Sequence, residues 1–225
     1  MAGAAWAVLV AAGRGERLGE DRPKAFVRLG DLPLLAEPLR RLDESDLVEG
    51  IVVVAPRGWE EPSILLAEQI GASKVSACVP GGDTRAESVR AGLAEVPDEA
   101  AVVLVHDAAR PVLPAEVVER VLAAVADGYD GAVPCLPVAD TVKRTAGGVV
   151  VETLPREQLV AVQTPQAFVA SVLRSAFAGD VSAATDCASL VEAAGGRVKV
   201  VAGDERLQKV TTPADLERVS GWLHG

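Results

Sequence analysis

The chain has 225 residues, 49 % of them hydrophobic, which is enough to bury the core of a single α/β domain spanning residues 1–225. Lys and Arg total 22 against 32 Asp and Glu, and the net charge of −10 argues against a general electrostatic grip on nucleic acid or on an anionic membrane. No apolar run approaches the roughly 18 residues of a membrane helix, and no basic segment precedes the first apolar run, so we expect an untargeted cytoplasmic protein. Three scattered cysteines and two histidines argue against disulfides and against a zinc or histidine-rich metal centre.

Short apolar runs rich in β-branched residues alternate with helix-length segments along the chain. The runs predict strands at Ala5–Val10, Ile51–Ala55, Val75–Val79, Val102–Val105, Gly131–Val133 and Val198–Val201. The other segments predict helices at Leu34–Asp43, Ser63–Ile70, Arg85–Glu95, Pro114–Ala126, Phe168–Phe177, Ala188–Ala194 and Ala214–Trp222. Pro114 and Pro213 suit the first turn of a helix, and Ser63 and Thr212 suit N-caps. The alternation predicts an α/β fold with a mostly parallel sheet and helices on both faces.

Residues 136–163 break this alternation, because no segment among them has a convincing helical pattern. The runs TVKRT and VVVETL lie on either side of the turn-like Ala146–Gly148, a pattern typical of a β-hairpin. An exposed hairpin with an apolar strand invites association unless something covers it. We therefore expect 136–163 to leave the main sheet as a β-arm that a second copy of the chain covers.

The loop that follows the first predicted strand, AAGRGERLGEDRPKAF, combines glycines with cations. Ligands of open α/β folds bind where parallel strands end, and Gly13 and Gly15 allow backbone N–H groups to approach phosphate oxygens. Arg17 and Lys24 can each bind phosphate oxygens through their charge. A dinucleotide fingerprint fails because Leu18 replaces its last glycine, and the Gly-Lys-Ser/Thr triplet of a P-loop does not occur. The pattern predicts a polyphosphate site of a third kind, with a solvated basic loop as the alternative.

Six further motifs follow in chain order, and each begins at a defined residue. They are GGDTRAESVRAGL from Gly81, VHDAARP from Val105, DTVK from Asp140, TPQAF from Thr164, TDCASLVE from Thr185 and KVTTPADL from Lys209. Together with the loop, they closely resemble the 2-C-methyl-D-erythritol 4-phosphate cytidylyltransferase family over about Ala5 to Leu216. The resemblance implies a Rossmann-like nucleotidyltransferase fold with a protruding β-hairpin arm, through which two copies interlock as a homodimer. It also implies a Mg²⁺-dependent reaction in which CMP passes from CTP to the polyol phosphate and pyrophosphate leaves.

The resemblance further implies a role for the individual motif residues. Arg17 and Lys24 match the family's catalytic pair, which stabilises the transition state, and Asp107 matches its Mg²⁺ ligand. The nucleotide-binding positions are Ala11, Ala12, Gly13, Gly15, Gly81, Gly82, Asp83 and Ser88. The acceptor-binding positions are Asp107, Arg110, Thr141, Arg156, Thr164, Thr185 and Lys209. In the family, Thr141 and Arg156 come from the arm and reach the site of the other subunit.

Two motif residues have simpler interpretations: His106 as a strand-end histidine with local hydrogen bonds, and Arg85 as a brace of its turn. The chain also departs from the family in two places. Ala25 stands where the family often has Gln, and Leu207–Gln208 stands where it often has Asn-Ile. These departures leave open the fine placement of the neighbouring lysines.

Two alternative functions remain open from the sequence. Ribitol-5-phosphate cytidylyltransferase shares most of these motifs and differs in its acceptor. The alternative of another class is a catalytically silent nucleotide-binding or assembly protein on the same fold. One observation argues against it, the joint presence of five charged motif residues: Arg17, Lys24, Asp107, Arg156 and Lys209. The expected partners are CTP, a polyol phosphate and a second copy of the chain, with no nucleic acid and no membrane.

Overall fold

The computed structural model of the chain describes residues 5–13, 15, 18–19, 21–182 and 184–224. Its strands are β1 (Ala5–Val10), β2 (Arg28–Leu29), β3 (Leu32–Pro33), β4 (Val48–Ala55), β5 (Val75–Pro80), β6 (Val102–Asp107), β7 (Gly131–Pro137), β8 (Val142–Ala146), β9 (Val149–Leu154), β10 (Val160–Val162), β11 (Gln166–Val169) and β12 (Val198–Ala202). Its helices are α1 (Ala36–Asp43), α2 (Glu60–Ile70), α3 (Arg85–Ala94), α4 (Ala115–Ala126), α5 (Ala170–Phe177), α6 (Cys187–Ala193) and α7 (Pro213–His224). Short 3₁₀ helices lie at Lys24–Phe26, Arg156–Gln158 and Glu205–Leu207. None of the described helices is long and apolar enough to cross a lipid bilayer.

An eight-stranded sheet forms the centre of the fold, in the order β12, β7, β11, β6, β1, β4, β5, with β10 beside the end of β7. Strands β6, β1, β4 and β5 run parallel to one another, whereas β11 is antiparallel to both β6 and β7. Val10 pairs with Val54 on one side and with Asp107 on the other, so β1, β4 and β6 end at one edge of the sheet. Ligands of open α/β sheets bind at this carboxyl edge.

The central strands are apolar without alternation because both of their faces are buried. Ala7 and Leu9 of β1 belong to a cluster that also contains buried residues of α1, α2 and α4. Val8 belongs to a second cluster, which contains buried residues of α3, α5 and α6. The sheet is therefore covered by helices on both faces, and its carboxyl edge stays free to carry loops.

The α/β prediction is confirmed, because each predicted strand and helix has a counterpart in the structure. Most predicted strands are longer than expected, and β6 in particular extends to Asp107. Pro213 begins α7 as predicted. The predicted cap Thr212 accepts a hydrogen bond at Oγ1 from the backbone N–H of Asp215 at 3.3 Å.

Several predicted helix starts are wrong, and α1 begins at Ala36 instead of Leu34. Phe168 lies in β11, because its fully buried ring fills the space beside Gly131, where a Cβ would come within 2.4 Å of the ring. Ser63 lies inside α2 instead of capping it, and its hydroxyl donates to the carbonyl oxygen of Trp59 at 2.8 Å. Pro114 occupies the N-cap of α4, one residue before the first turn. The β11 error matters most, since this strand separates β6 from β7.

Residues 136–163 divide between the main sheet and a separate hairpin. Strand β7 continues to Pro137 and β10 pairs with it, so both ends of the region belong to the main sheet. Between them, β8 and β9 form a two-stranded antiparallel sheet, and its turn contains Gly147 and Gly148, both with positive φ. The three valines of β9, Val149–Val151, are 67 %, 55 % and 56 % exposed. The hairpin therefore presents an apolar strand on its surface.

Candidate active site

A cavity of about 250 Å³ lies at the carboxyl edge of the sheet, where β1 and β6 end. Its walls are the loop after β1, the 3₁₀ helix that contains Lys24, the start of α3, and the segment after β6. The described residues that line it include Ala11, Ala12, Gly13, Lys24, Gly82, Asp83, Thr84, Arg85, Ser88, Asp107 and Lys209. The N-terminus of a helix favours anions, because its first N–H groups and its dipole are positive. In a chain with a net negative charge, the cavity thus gathers cationic groups at one place.

Three glycines around this cavity, Gly15, Gly81 and Gly82, are required by close packing, whereas a Cβ on Gly13 would meet none of the described atoms within 4 Å. A Cβ on Gly81 would lie 2.2 Å from the Cβ of Ala12, and a Cβ on Gly82 would lie 2.3 Å from that of Glu87. Gly15 has a φ of +73° and lies against Lys24, whose Cβ would be 2.6 Å from an added Cβ. The loop after β1 therefore touches the segment before α3 directly at Ala12 and Gly81, and a side chain at any of these glycines would force its neighbour to move.

The turn before α3 is held by its own hydrogen bonds. Thr84 caps the helix by accepting from the backbone N–H of Glu87 at 3.1 Å, while the Glu87 carboxylate accepts from the backbone N–H of Thr84 at 2.9 Å. Ser88 Oγ accepts from the backbone N–H of Gly82 at 3.1 Å and donates to the carbonyl oxygen of Thr84 at 2.9 Å. The Ser88 hydroxyl, although it lines the cavity, therefore also fixes the shape of the turn that borders it.

Asp107 ends β6 and is 6 % exposed. Arg85 Nε donates to its Oδ1 at 2.9 Å, Arg85 Nη2 lies 2.8 Å from the same oxygen, and Lys209 Nζ donates to its Oδ2 at 2.7 Å. Burial opposes the charged carboxylate, but the two cations outweigh burial and lower the pKa of Asp107 below its ordinary value. Burial likewise opposes the Arg85 cation, but the Asp107 carboxylate outweighs it and raises the pKa of Arg85. Asp107 is therefore an ionised carboxylate held in place by two cations.

His106 is fully buried beside Asp107 and belongs to a chain of hydrogen bonds. Its Nε2 lies 3.0 Å from the carbonyl oxygen of Arg110, which can only accept, so Nε2 carries the proton. Nδ1 then accepts from Thr164 Oγ1 at 3.1 Å, and Thr164 Oγ1 accepts from the backbone N–H of Asp107 at 3.1 Å. Burial lowers the pKa of His106 to about 4, so the ring is neutral at neutral pH. The interpretation of His106 as a locally hydrogen-bonded histidine is confirmed, and its neutral ring fixes the backbone around Asp107.

A second cavity, of about 510 Å³, adjoins the first, since Arg85, Asp107 and Lys209 line both. Its other described lining residues include Arg110, Gln163, Thr164, Gln166, Thr185 and Asp186. Arg110 Nη1 donates to the carbonyl oxygen of Leu207 at 2.5 Å, and burial lowers the pKa of Arg110. The two cavities therefore meet at a carboxylate flanked by cations, an arrangement that suits two anionic molecules brought into contact.

The two predicted groups of site residues line different cavities. The predicted nucleotide-binding residues that line the first are Ala11, Ala12, Gly13, Gly82, Asp83 and Ser88. Of the predicted acceptor-binding residues, the second cavity is lined by Asp107, Arg110, Thr164, Thr185 and Lys209. Thr141 and Arg156 line neither cavity; both are exposed in the arm region, where Arg156 Nη1 donates to the carbonyl oxygen of Ala139. Arg17 lies outside the described residues.

Two residues have a larger part in the site than the sequence analysis assigned to them. Arg85 is more than a brace of its turn, because it holds Asp107 and lines both cavities. Gln166 is 1 % exposed, lines the second cavity and donates to Asp186 Oδ2 at 3.0 Å. In the sequence, both residues were indicated only by the motifs that contain them, GGDTRAESVRAGL for Arg85 and TPQAF for Gln166.

A mostly parallel sheet, with a glycine-containing loop after its first strand and a cation-flanked carboxylate at its carboxyl edge, defines a nucleotidyltransferase of Rossmann-like fold. The chain belongs to the IspD family, 2-C-methyl-D-erythritol 4-phosphate cytidylyltransferase, whose family model matches residues 5–224.

Relatives and solved structures agree with this membership. The protein is similar to 2-C-methyl-D-erythritol 4-phosphate cytidylyltransferase of Nocardia farcinica, with 47 % identity over 215 residues, which cover 95 % of this chain and 91 % of that relative. The enzyme of the same name from Frankia casuarinae is 47 % identical over 213 residues, covering 93 % of this chain and 77 % of the relative. The crystal structure of 2-C-methyl-D-erythritol 4-phosphate cytidylyltransferase from Thermus thermophilus matches with a TM-score of 0.77 at 34 % identity, covering 97 % of this chain and 98 % of that one.

Proposed function

We propose that this protein transfers CMP from CTP to 2-C-methyl-D-erythritol 4-phosphate, giving 4-diphosphocytidyl-2-C-methyl-D-erythritol and pyrophosphate, in the cytoplasm. The observation that carries the proposal is the pair of adjoining cavities that share Arg85, Asp107 and Lys209. Two anionic substrates repel each other as they approach, and cations at the shared boundary offset this repulsion. Membership of the IspD family supports the same reading.

In this proposal CTP occupies the first cavity. Its base and ribose bind the segment from Gly81 to Asp83 with Ser88, and its phosphates lie between the loop after β1 and the N-terminus of α3. A phosphate oxygen of the acceptor attacks the α-phosphorus, a new P–O bond forms, and the bond to the β-phosphate oxygen breaks as pyrophosphate leaves. Arg17 and Lys24 stabilise the negative charge that develops. The reaction needs positioning and charge stabilisation and no covalent enzyme intermediate.

The acceptor occupies the second cavity. Arg110, Thr164 and Thr185 line this cavity together with Lys209, which also borders the first. Lys209 binds the acceptor's phosphate group, and its bond to Asp107 keeps the ammonium group at the boundary of the two cavities. The Thr164 hydroxyl also accepts from the backbone N–H of Asp107 and so helps to position this residue. One hydroxyl group thus borders the acceptor cavity and holds a residue that lines the nucleotide cavity.

The proposed reaction uses a divalent metal, and the donor set of the first cavity fits Mg²⁺. Among the described residues, no group of three or more His, Cys, Asp or Glu side chains could enclose a metal ion. Mg²⁺ is usually held by one or two carboxylates together with substrate phosphates and water, and Asp107 is an ionised carboxylate on the wall of this cavity. Asp107 is therefore the residue that would hold Mg²⁺, which when bound neutralises phosphate charge.

We also propose that the whole chain acts as one nucleotidyltransferase domain and forms a homodimer through its arm. The hairpin β8–β9 exposes Val149, Val150 and Val151, and an apolar strand of this kind is normally covered. Thr141 and Arg156 line neither cavity of their own subunit, which fits residues that complete the acceptor site of the other subunit. In this arrangement dimerisation is a requirement for catalysis.

The first test measures pyrophosphate release from CTP and Mg²⁺ after addition of 2-C-methyl-D-erythritol 4-phosphate, beside a parallel reaction with ribitol 5-phosphate. We expect release with the first acceptor only. Release with ribitol 5-phosphate alone would assign the protein to the alternative cytidylyltransferase. No release with either acceptor would favour the nucleotide-binding or assembly protein instead.

The role of Lys24 is tested by Lys24→Ala, which should lower kcat by about 10²–10³-fold, as expected for loss of a preorganised donor to the transition state. Lys74→Ala is the matched control. Lys74 directly precedes β5, so it lies at the amino ends of the parallel strands, away from the cavities at their carboxyl ends. Its Nζ donates to the carbonyl oxygen of Ser45 at 2.8 Å. An equal loss in both variants would contradict a specific role of Lys24.

The shared acceptor site is tested by mixing two variants that are each inactive, Lys24→Ala and Arg156→Ala. If Arg156 acts in the other subunit's site, a mixed dimer has one site with both defects and one intact site. Random exchange of subunits should then restore about a quarter of the wild-type activity. A mixture that stays inactive, although native mass spectrometry shows mixed dimers, would place Arg156 in its own subunit's site. A monomer at micromolar concentration would contradict the dimer itself.

A further inference from the structure

Two side-chain polar atoms among the described residues are buried without any hydrogen-bond partner: Arg110 Nε and Gln166 Oε1. Both residues line the second cavity. Leaving a buried polar atom unpaired costs about 1–3 kcal/mol, so such atoms in a native protein call for an explanation. One donor and one acceptor at the same cavity indicate that this cavity binds a polar molecule able to satisfy both.

The orientation of the Gln166 amide is set by its neighbours. Its Nε2 donates to Asp186 Oδ2 at 3.0 Å, and a carboxylate can only accept, so the amide cannot turn around. Asp186 is fixed in turn, because its Oδ1 accepts from the backbone N–H of Ser189 and caps α6. The carbonyl oxygen Oε1 is therefore the group of Gln166 that stays unpaired beside the cavity, and this group requires a donor.

The required donor identifies which part of the acceptor meets Gln166. At neutral pH a phosphate group offers mostly acceptor oxygens, which suit Arg110 but not a carbonyl oxygen. A hydroxyl group can donate to Gln166 Oε1 and can also accept from Arg110 Nε. The polyol part of the acceptor is thus the part whose chemistry matches Gln166.

We propose that Gln166 is a specificity-determining residue, which accepts a hydrogen bond from a hydroxyl group on the carbon chain of the acceptor. This inference rests on the proposed function and adds a residue to it. Gln166 distinguishes a polyol phosphate from a phosphate whose chain lacks that hydroxyl, because the analogue without it would leave the buried oxygen unpaired. The cations of the same cavity bind the phosphate end and contribute little to this discrimination.

The test compares kcat/KM for 2-C-methyl-D-erythritol 4-phosphate with kcat/KM for its monodeoxy analogues, each lacking one hydroxyl. In the wild-type enzyme, one analogue should be poorer than the full acceptor by about 10- to 100-fold. In Gln166→Leu, and in the unbranched Gln166→Met should the leucine variant fail to fold, the same analogue and the full acceptor should be used almost equally. The KM for CTP should not change, because Gln166 does not line the first cavity.

Gln163→Leu is the matched control. Gln163 has the same side chain and lines the same cavity, but its amide is already paired, with Nε2 donating to the carbonyl oxygen of Asp204 at 2.9 Å and Oε1 accepting from the backbone N–H of Asp204 at 3.0 Å. The ratio between acceptor and analogue should therefore stay at its wild-type value in Gln163→Leu.

The outcomes separate the two proposals. A wild-type enzyme that is active on the full acceptor, with a ratio that Gln166→Leu leaves unchanged for every analogue, overturns this inference alone. A change of the ratio in Gln163→Leu as large as in Gln166→Leu also overturns it, since the effect would then reflect general disturbance of the cavity. A wild-type enzyme inactive with methylerythritol phosphate overturns the proposed function and this inference with it.

Discussion

Mild acid should destabilise this protein through His106. The ring is fully buried, and burial lowers its pKa from an ordinary value of 6.5 to about 4. In the unfolded chain the same imidazole takes up a proton as soon as the pH falls below about 6.5. Stability from the neutral His106 ring is therefore complete above that pH and is lost as the pH falls toward 4.

The size of the effect follows from these two values. Each pH unit between them corresponds to about 1.4 kcal/mol, so the full loss is about 3 kcal/mol, and about 2 kcal/mol of it should be lost between pH 6.5 and pH 5. Asp107 does not contribute in this window. Its pKa is lowered in the folded state, so its stabilisation persists until the pH falls below the ordinary range of aspartate, near 4.

Protonation of His106 would also disturb the site. A proton on Nδ1 would face Thr164 Oγ1, which already accepts from the backbone N–H of Asp107 and would lose the acceptor for its own proton. Activity should therefore fall together with stability, and the loss should reverse on return to neutral pH.

The assay is urea denaturation at a series of pH values in a His224→Gln background, in which His106 is the one remaining histidine of the sequence. In the same protein, NMR signals of the ring should show no titration above about pH 5. A His106→Gln variant in this background should lose most of the slope of unfolding free energy against pH. A ring that titrates near pH 6.5, or an unchanged slope in the variant, would contradict a buried neutral His106.

Two further predictions concern Arg85, which lines the first cavity, and Gly81, which packs against the lining residue Ala12. Arg85→Met keeps the aliphatic stem but removes one of the two cations beside the buried Asp107. Because Arg85 is partly exposed, we expect a loss of about 2 kcal/mol in unfolding free energy, together with a lower kcat. A loss below about 0.5 kcal/mol by urea denaturation would contradict a stabilising ion pair. Gly81→Ala would place a Cβ 2.2 Å from that of Ala12, so we expect a loss of about 1–3 kcal/mol and a raised KM for CTP. Gly179→Ala is its control, because a Cβ there meets nothing within 4 Å, and equal effects of the two changes would count against the packing argument.

Much of the fold could be predicted from the sequence because it depends on local patterns. The apolar runs marked the central strands, and the glycines of the β8–β9 turn marked the hairpin, since turns and caps are decided within a few residues. The resemblance of the motifs to a known family also predicted most of the residues that line the two cavities. The sequence alone thus determined an α/β sheet with a glycine-containing loop at its carboxyl edge and a hairpin that leaves the sheet.

The remaining features were decided by contacts between distant parts of the chain. Phe168 reads as the start of a helix, and only its burial beside Gly131 makes the segment a strand between β6 and β7. Asp107 is 22 residues from Arg85 and 102 residues from Lys209, so no local pattern indicates that it is held by both. The unpaired oxygen of Gln166 likewise becomes visible only when every neighbour is in place. Local preference chooses the elements, but ion pairs and buried hydrogen bonds exist only after those elements have packed, which is why the tertiary structure alone decided them.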